Sequence, residues 1–384
     1  VNLARVRAVA AKEWREIVRD RIVLLLAFLL PVVVMLTLGY GLVQDVEHVP
    51  TVIVDHDRSP SSRDYGRHFI ESRYFDVLGE AGDVRVADRL LADGGARLVL
   101  VIPEGFHERL AAGRRVEVQV LIDGTFTRTA RTVQVYVEAI NALVNVERQA
   151  HWLAGRLGVS RARIDLVLDP LHTEVRYLYN EEVRSVWGVA PTLMMFTLTL
   201  VVPLLVALNV VREKETGSIY NIYASTITRA EFLAGKLAPN LAISAINAVV
   251  LWLLAIAVFG VPFRGSVPAF LVVTVLYLLA ASSAGLVISL MVRTLQAALT
   301  VGVIAGVILA VQFSGMITPI PSLTGVKWLV AKALPPSHYN AVALSAFLKG
   351  AGIETIWREA VVFIGHTAGA LAVAWLLFRK RIRA

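Results

Sequence analysis

Six apolar stretches, each about 20 residues long and nearly free of charge, constrain this chain more than any other feature. They run approximately over Ile22–Val43, Val186–Val211, Pro239–Gly260, Val267–Met291, Ala297–Ile317 and Ala360–Phe378. A helix rises about 1.5 Å per residue, so roughly 20 residues cross a hydrocarbon core about 30 Å thick. One such run would also suit the core of a large soluble protein, but six of this length would not. With 56% hydrophobic residues in 384, the chain carries more apolar side chain than a soluble fold of this size buries. The sequence predicts an α-helical integral membrane protein with six transmembrane helices and an inserted α/β domain outside the cytoplasm.

Lysine and arginine beside the spans give the expected orientation. Arg5, Arg7, Lys12, Arg15, Arg19 and Arg21 precede the first span. Arg212, Lys214, Arg229 and Lys236 join the second to the third, Arg293 joins the fourth to the fifth, and Arg379, Lys380, Arg381 and Arg383 follow the last. With an even number of spans these all fall on one side, so both termini are expected in the cytoplasm. Lys327, Lys332, Lys349 and Arg358 precede the last span on the opposite, less cleanly charged side. The first apolar run follows a long charged segment and has no small-x-small site after it, so it reads as a retained anchor, not a cleaved signal. Residues 1–21 read as an amphipathic elbow helix suited to the headgroup layer, with Leu3, Val6, Val9, Ala10, Trp14, Ile17 and Val18 near helical spacing.

Residues 44–185 hold most of the acidic residues and alternate strand and helix signals. Strands are predicted at Thr51–Val54, Arg97–Ile102 and Val116–Ile122. Helices are predicted at about Ser61–Ser72, Val84–Asp93, Glu104–Ala112 and Thr127–Leu157. Interleaved strands and helices imply a small α/β layer with some parallel pairing. The rest, 186–384, is expected to be a five-helix membrane domain with a cytoplasmic connection at 212–238. Its outer segment at 318–359 is broken by prolines 319, 321, 335 and 336 into short helices near Val326–Leu334 and Tyr339–Leu348.

Little in the chain reads as catalytic. The absence of cysteine removes disulfides, thiolate metal sites and thiol nucleophiles. Asp55, His56 and Asp57 are consecutive on a turn, where ligands rarely converge on a metal, so no metal site is predicted. There is no HExxH, no Gly-x-Ser-x-Gly and no P-loop; Gly235-Lys236 lacks the earlier glycine and the following hydroxyl residue. The spans place no Asp, Glu, Lys or Arg at their centres. Their polar groups are Asn209, Asn247, Gln296, Gln312, His366 and some hydroxyls. Ion-coupled transporters keep an ionisable group at mid-membrane, so any transport energy is expected from outside the chain; His366 reads as a helix contact. Gly302 and Gly306, and Gly365 and Gly369, have the spacing of close helix packing. No nucleic acid is implied as a partner.

The connection after the second span carries the strongest motif: Arg212, Glu213, Lys214, Glu215, Thr216, Gly217 and Ser218, then Tyr220–Tyr223, Ser225–Thr228 and Gly235-Lys236. Glu213–Thr216 read as a charged helix end stopped by Gly217, a docking handle for a cytoplasmic partner. These residues resemble the permease subunit of a type-2 ATP-binding-cassette exporter, of the bacterial kind with a large outer domain between its first two spans. The Val54–Ser59 turn, Tyr74-Phe75, Val101–Pro103 with Phe106, Asp123-Gly124, Ser314-Gly315 and Pro336–Tyr339 are similar to that family as well.

The resemblance implies a cytoplasmic ATPase subunit, which would hold the ATP and Mg, and no cofactor or catalytic residue in this chain. It implies coupling contacts at Trp14, Arg212–Gly217, Ser225, Gly235 and Lys236. It also implies a second permease chain, identical or sibling, in a lipid bilayer, and a periplasmic adaptor on the outer domain. Apolar spans suit a lipophilic or amphipathic cargo. The competing readings are a membrane-anchored ligand-binding or signalling protein acting through its outer domain, and an enzyme at the membrane surface.

Overall fold

The computed structural model describes residues 2–42, 45–157, 176–218 and 225–378. The chain divides into two compact units, one of residues 44–176 and one of 1–43 with 177–384. Tyr220–Tyr223 and the basic tail Arg379–Arg383 lie outside the described residues.

In chain order, helices α1 (Leu3–Arg19) and α2 (Arg21–Gly41) come first. The smaller unit follows: β1 (Val49–Asp55), α3 (Pro60–Ile70), β2 (Phe75–Glu80), α4 (Val84–Ala92), β3 (Leu98–Ile102), α5 (Phe106–Ala111), β4 (Gln119–Ile122) and α6 (Thr127–Leu157). Then come α7 (Ser185–Glu215), α8 (Arg229–Ala257), α9 (Val267–Met291), α10 (Leu295–Gln312), α11 (Gly325–Ala333), α12 (Pro335–Leu344) and α13 (Ile353–Leu377).

The smaller unit is built on a sheet of order β2-β1-β3-β4. β1 is parallel to β2 and β3, and β4 is antiparallel to β3. Alternation along β1 and β3 sends Val49, Ile53, Leu98, Leu100 and Ile102 to one face, against Tyr65, Phe69 and Phe106. Val52, Val54, Val99 and Val101 go to the other, against Ala87 of α4. Both faces are therefore covered, as parallel strands require. The sequence reading missed β2. Asp76 and Gly79 interrupt its apolar run, and it exists because β1 pairs with it, through a register shift between Thr51 and Val52.

Among the described residues of the larger unit, six helices are long and apolar enough to cross a membrane: α2, α7, α8, α9, α10 and α13. α7 is the axle: 89% of its most apolar window is buried, against 22% for α10 and 17% for α13. Its side chains pack with α2, α8, α9, α10 and α12, while α13 packs on α9 and α12. Glycines set the closest approaches. A β-carbon on Gly285 would fall 2.4 Å from the Pro203 carbonyl oxygen, and one on Gly302 would fall 2.8 Å from the Leu204 side chain. Pro31 explains the π-helical turn at Leu25–Leu29: its ring excludes the carbonyl four residues back, and the helix widens to accept it.

Candidate coupling site

The last turn of α7 sends four consecutive side chains in four directions. Arg212 donates to Asp20, at the junction of α1 and α2. Glu213 accepts from Lys12 of α1 at 2.5 Å. Lys214 Nζ donates to the carbonyls of Ser289 and Val292, at the C-terminal end of α9. A cation there meets carbonyls that lack helical partners. Glu215 accepts from the Leu295 amide at 2.7 Å, the first residue of α10, where free amides favour an anion. Gly217, at φ +75°, then turns the chain in the left-handed region that favours glycine.

α8 completes the site. Its N-terminus is set by a reciprocal cap in which Thr228 and Glu231 exchange side-chain and backbone bonds. Glu231 also accepts from the Asn2 amide at 2.7 Å, and Arg5 donates to the Thr226 carbonyl at 2.9 Å, so the start of α1 is held here. One turn on, a β-carbon on Gly235 would lie 2.6 Å from the Val9 side chain, so α1 crosses α8 where glycine leaves room. Lys236 is 1% exposed and donates to Glu13, itself 2% exposed; its ammonium also lies 2.9 Å from Glu213 as an ion pair. At the start of α8, Arg229 stands 5.3 Å from the Trp375 ring centroid, and Phe232 stacks on Phe378 at 4.9 Å, which ties in the end of α13. The starts of α2, α8 and α10 and the ends of α7, α9 and α13 thus meet on one side of the unit.

The charges of this hub are coupled. Burial lifts the Glu13 carboxyl above its ordinary range; the Lys236 ammonium opposes this, and the negative charge of Glu213 and Glu16 adds to it. At Asp20 burial also opposes ionisation. The Arg212 hydrogen bond and the Val23 and Ile22 amides outweigh it and hold the carboxyl below its usual value. Desolvation lowers Lys12, but bonds to Glu213 and Glu16 raise it overall. Glu13, Glu16 and Glu213 bring ligand oxygens within 4.8 Å of one another. Lys12 and Lys236 already supply the cations there, so the cluster is an ion-pair network of the protein itself.

The sequence-derived residues separate into two groups. Glu213 and Lys236 are buried inside the chain, as internal struts and not as a surface handle, and Gly235-Lys236 belong to α8, not to a loop. The helix begins ten residues before the expected span because its cap is strong and α1 covers its first turns. Trp14, 41% exposed, and Thr216 lie at the surface. Ser225 accepts from the Ile227 amide at 3.3 Å. Gly302 and Gly306 pack within the chain, on Leu204 and Leu200 of α7, while β-carbons on Gly365 and Gly369 would meet nothing within 4 Å. In the smaller unit, Asp55 accepts from the amides of Asp57 and Arg58, and Asp57 accepts from the His107 amide at 3.1 Å; these acids shape turns.

Glu13, Lys12, Asp20 and Glu231 were missed. Glu13 falls between Val9 and Ile17 on the buried stripe of α1, and a carboxylate at such a position demands a partner. Glu231, three residues after Thr228, spells the capping signal.

The chain matches the sequence profile of the ABC-2 family transporter proteins over residues 21–376 and belongs to that family. It is a transmembrane permease subunit of an ABC transporter, and the family implies a partner ATPase subunit. It is similar to the probable multidrug ABC transporter permease YbhS of Escherichia coli strain K12, with 28% identity over 386 residues, covering 98% of this chain and 97% of the relative. It is also similar to the inner membrane transport permease YhhJ of the same strain, at 24% over 386 residues, covering 99% and 98%. The probable multidrug ABC transporter permease YbhR of that strain is 23% identical over 381 residues, covering 97% of each chain.

Proposed function

We propose that the hub is the cytoplasmic face on which the ATPase subunit acts, and that it passes ATP-driven motion to all six spans together. The observation that carries this reading is the fan of contacts from Arg212 to Glu215, which ties the elbow to α2, α9 and α10 through one helical turn. Each of these contacts is a charged hydrogen bond, so a displacement of this turn would be passed to the elements it holds. Trp14, Thr216 and Ser225 would touch the ATPase, while Glu13, Glu213, Gly235 and Lys236 hold the elbow beneath it. The positive residues around this face support a cytoplasmic placement, with both termini inside and residues 44–185 outside. ATP and Mg would sit on the partner, and this chain would catalyse nothing itself. The sequence carries no P-loop that would contradict this.

The spans are predominantly apolar with few polar groups, which favours export of a lipophilic or amphipathic cargo; the relative YbhS carries the word multidrug in its name. The open faces of α10 and α13 suit a second permease chain, and the outer unit suits a periplasmic adaptor.

The chain has no cysteine, so single cysteines at Trp14 and Thr216 provide the test. Cross-linking to the ATPase subunit is expected from both, and not from a cysteine at Ser266. Linking from Ser266 and from neither of the others would refute the placement.

A further inference from the structure

Between α1, the start of α2 and the end of α7 lies a cleft of about 890 Å³, lined among others by Arg15, Arg19, Arg21, Ile22 and Arg212. Its carboxylates are already partnered: Glu13 by Lys236, Glu16 by Lys12, Glu213 by both lysines, and Asp20 by Arg212. Among the described residues, Arg15, Arg19 and Arg21 have no carboxylate within ion-pair distance; Arg15 Nε donates only to the Ala11 carbonyl. The cleft therefore carries three surplus guanidiniums, the side chain best shaped for a phosphate. From its edge an apolar track leads away. Ile22, Leu25, Leu29 and Val33 are exposed and spaced by three or four residues along one stripe of α2.

We propose that the cleft is a binding site for one anionic phospholipid, whose headgroup phosphate is held by Arg15, Arg19 and Arg21 and whose acyl chain lies along the Ile22–Val33 stripe. A soluble anion would have no use for that stripe. An acidic protein surface could not follow it into the hydrocarbon. The site would fix where the elbow meets the membrane at the hinge between α1 and α2. The proposal needs the chain to be membrane-embedded and does not depend on the coupling reading above.

The test is native mass spectrometry of the full chain in mild detergent, with phosphatidylglycerol or phosphatidylcholine of the same acyl chains added. Phosphatidylglycerol adducts are expected to survive delipidation and phosphatidylcholine adducts to be lost. R15Q/R19Q/R21Q is expected to lower phosphatidylglycerol retention by about ten-fold or more, since each basic residue near anionic lipid contributes measurably. R15K/R19K/R21K, which keeps the charge and loses the guanidinium fork, should fall between the wild type and R15Q/R19Q/R21Q. R85Q/R89Q/R114Q, in the smaller unit, should change nothing. Equal retention of the two lipids, or equal loss in the R85Q/R89Q/R114Q control, would overturn the proposal. So would displacement of the lipid by inorganic phosphate, which would mark a free-anion site. Unchanged retention in R15Q/R19Q/R21Q with loss of the ATPase subunit would assign the arginines to protein docking and overturn it as well.

Discussion

Lys236 carries more of this architecture than its sequence context suggests. Removing one partner of a buried ion pair typically costs about 3–5 kcal/mol, whereas replacing the whole set with neutral groups costs far less. Lys236→Met alone should therefore lower thermal stability in detergent strongly, and adding Glu13→Gln and Glu213→Gln should recover most of the loss. Equal instability of the single and triple variants would refute the network. Gly235→Val places a side chain into Val9 and should cost about 1–3 kcal/mol, read as faster amide exchange across residues 3–19. The pH dependence has two limbs. The raised Glu13 carboxyl contributes stability fully below its ordinary value of 4.5 and loses it as pH rises through the folded value. The lowered Asp20 carboxyl contributes above its ordinary 3.8 and loses it as pH falls through the folded value. After correction for intrinsic rates, exchange in α1 should quicken as pH rises above the ordinary carboxyl value of Glu13, 4.5. Glu13→Gln should abolish that rise, and Asp20→Asn should abolish the loss at the acid end.

At the scale of elements, the membrane spans were legible because length and apolarity alone define them. Their ends were not. Charged side chains look alike in a solvated loop and in a buried cap, which is why the first ten residues of α8, from Arg229 to Ala238, read as connection. The strand β2 was illegible for a related reason, since its existence depends on a partner strand and not on its own alternation. The outer helices show the same kind of hidden tie. The last carbonyls of α11 are met by side chains from elsewhere: Ser337 donates to Ala331 at 2.5 Å, His338 to Lys332 at 2.9 Å, and His366 of α13 to Ala333 at 2.6 Å. His366 is thus the helix contact that the sequence suggested, with the helix identified. His366→Ala should cost about 1 kcal/mol and speed amide exchange in residues 325–333 while leaving α1 unaffected; unchanged exchange in α11 would refute the tie.

Across the whole molecule, the sequence reading found the right class of protein; of the residues it named for coupling, Glu213 and Lys236 are buried within this chain. A single sequence does not display burial for a lysine. The resulting account is one of force transmission: a chain without a nucleotide cradle or mid-span charges, whose six spans are gathered at one hub. Uptake of a fluorescent lipophilic dye into sealed proteoliposomes, with ATP added outside, tests this most directly. The account predicts ATP-dependent accumulation only when the ATPase subunit is present, and its loss in Lys236→Met vesicles that still retain the ATPase. Accumulation by this chain alone, or undiminished accumulation with Lys236→Met, would contradict it.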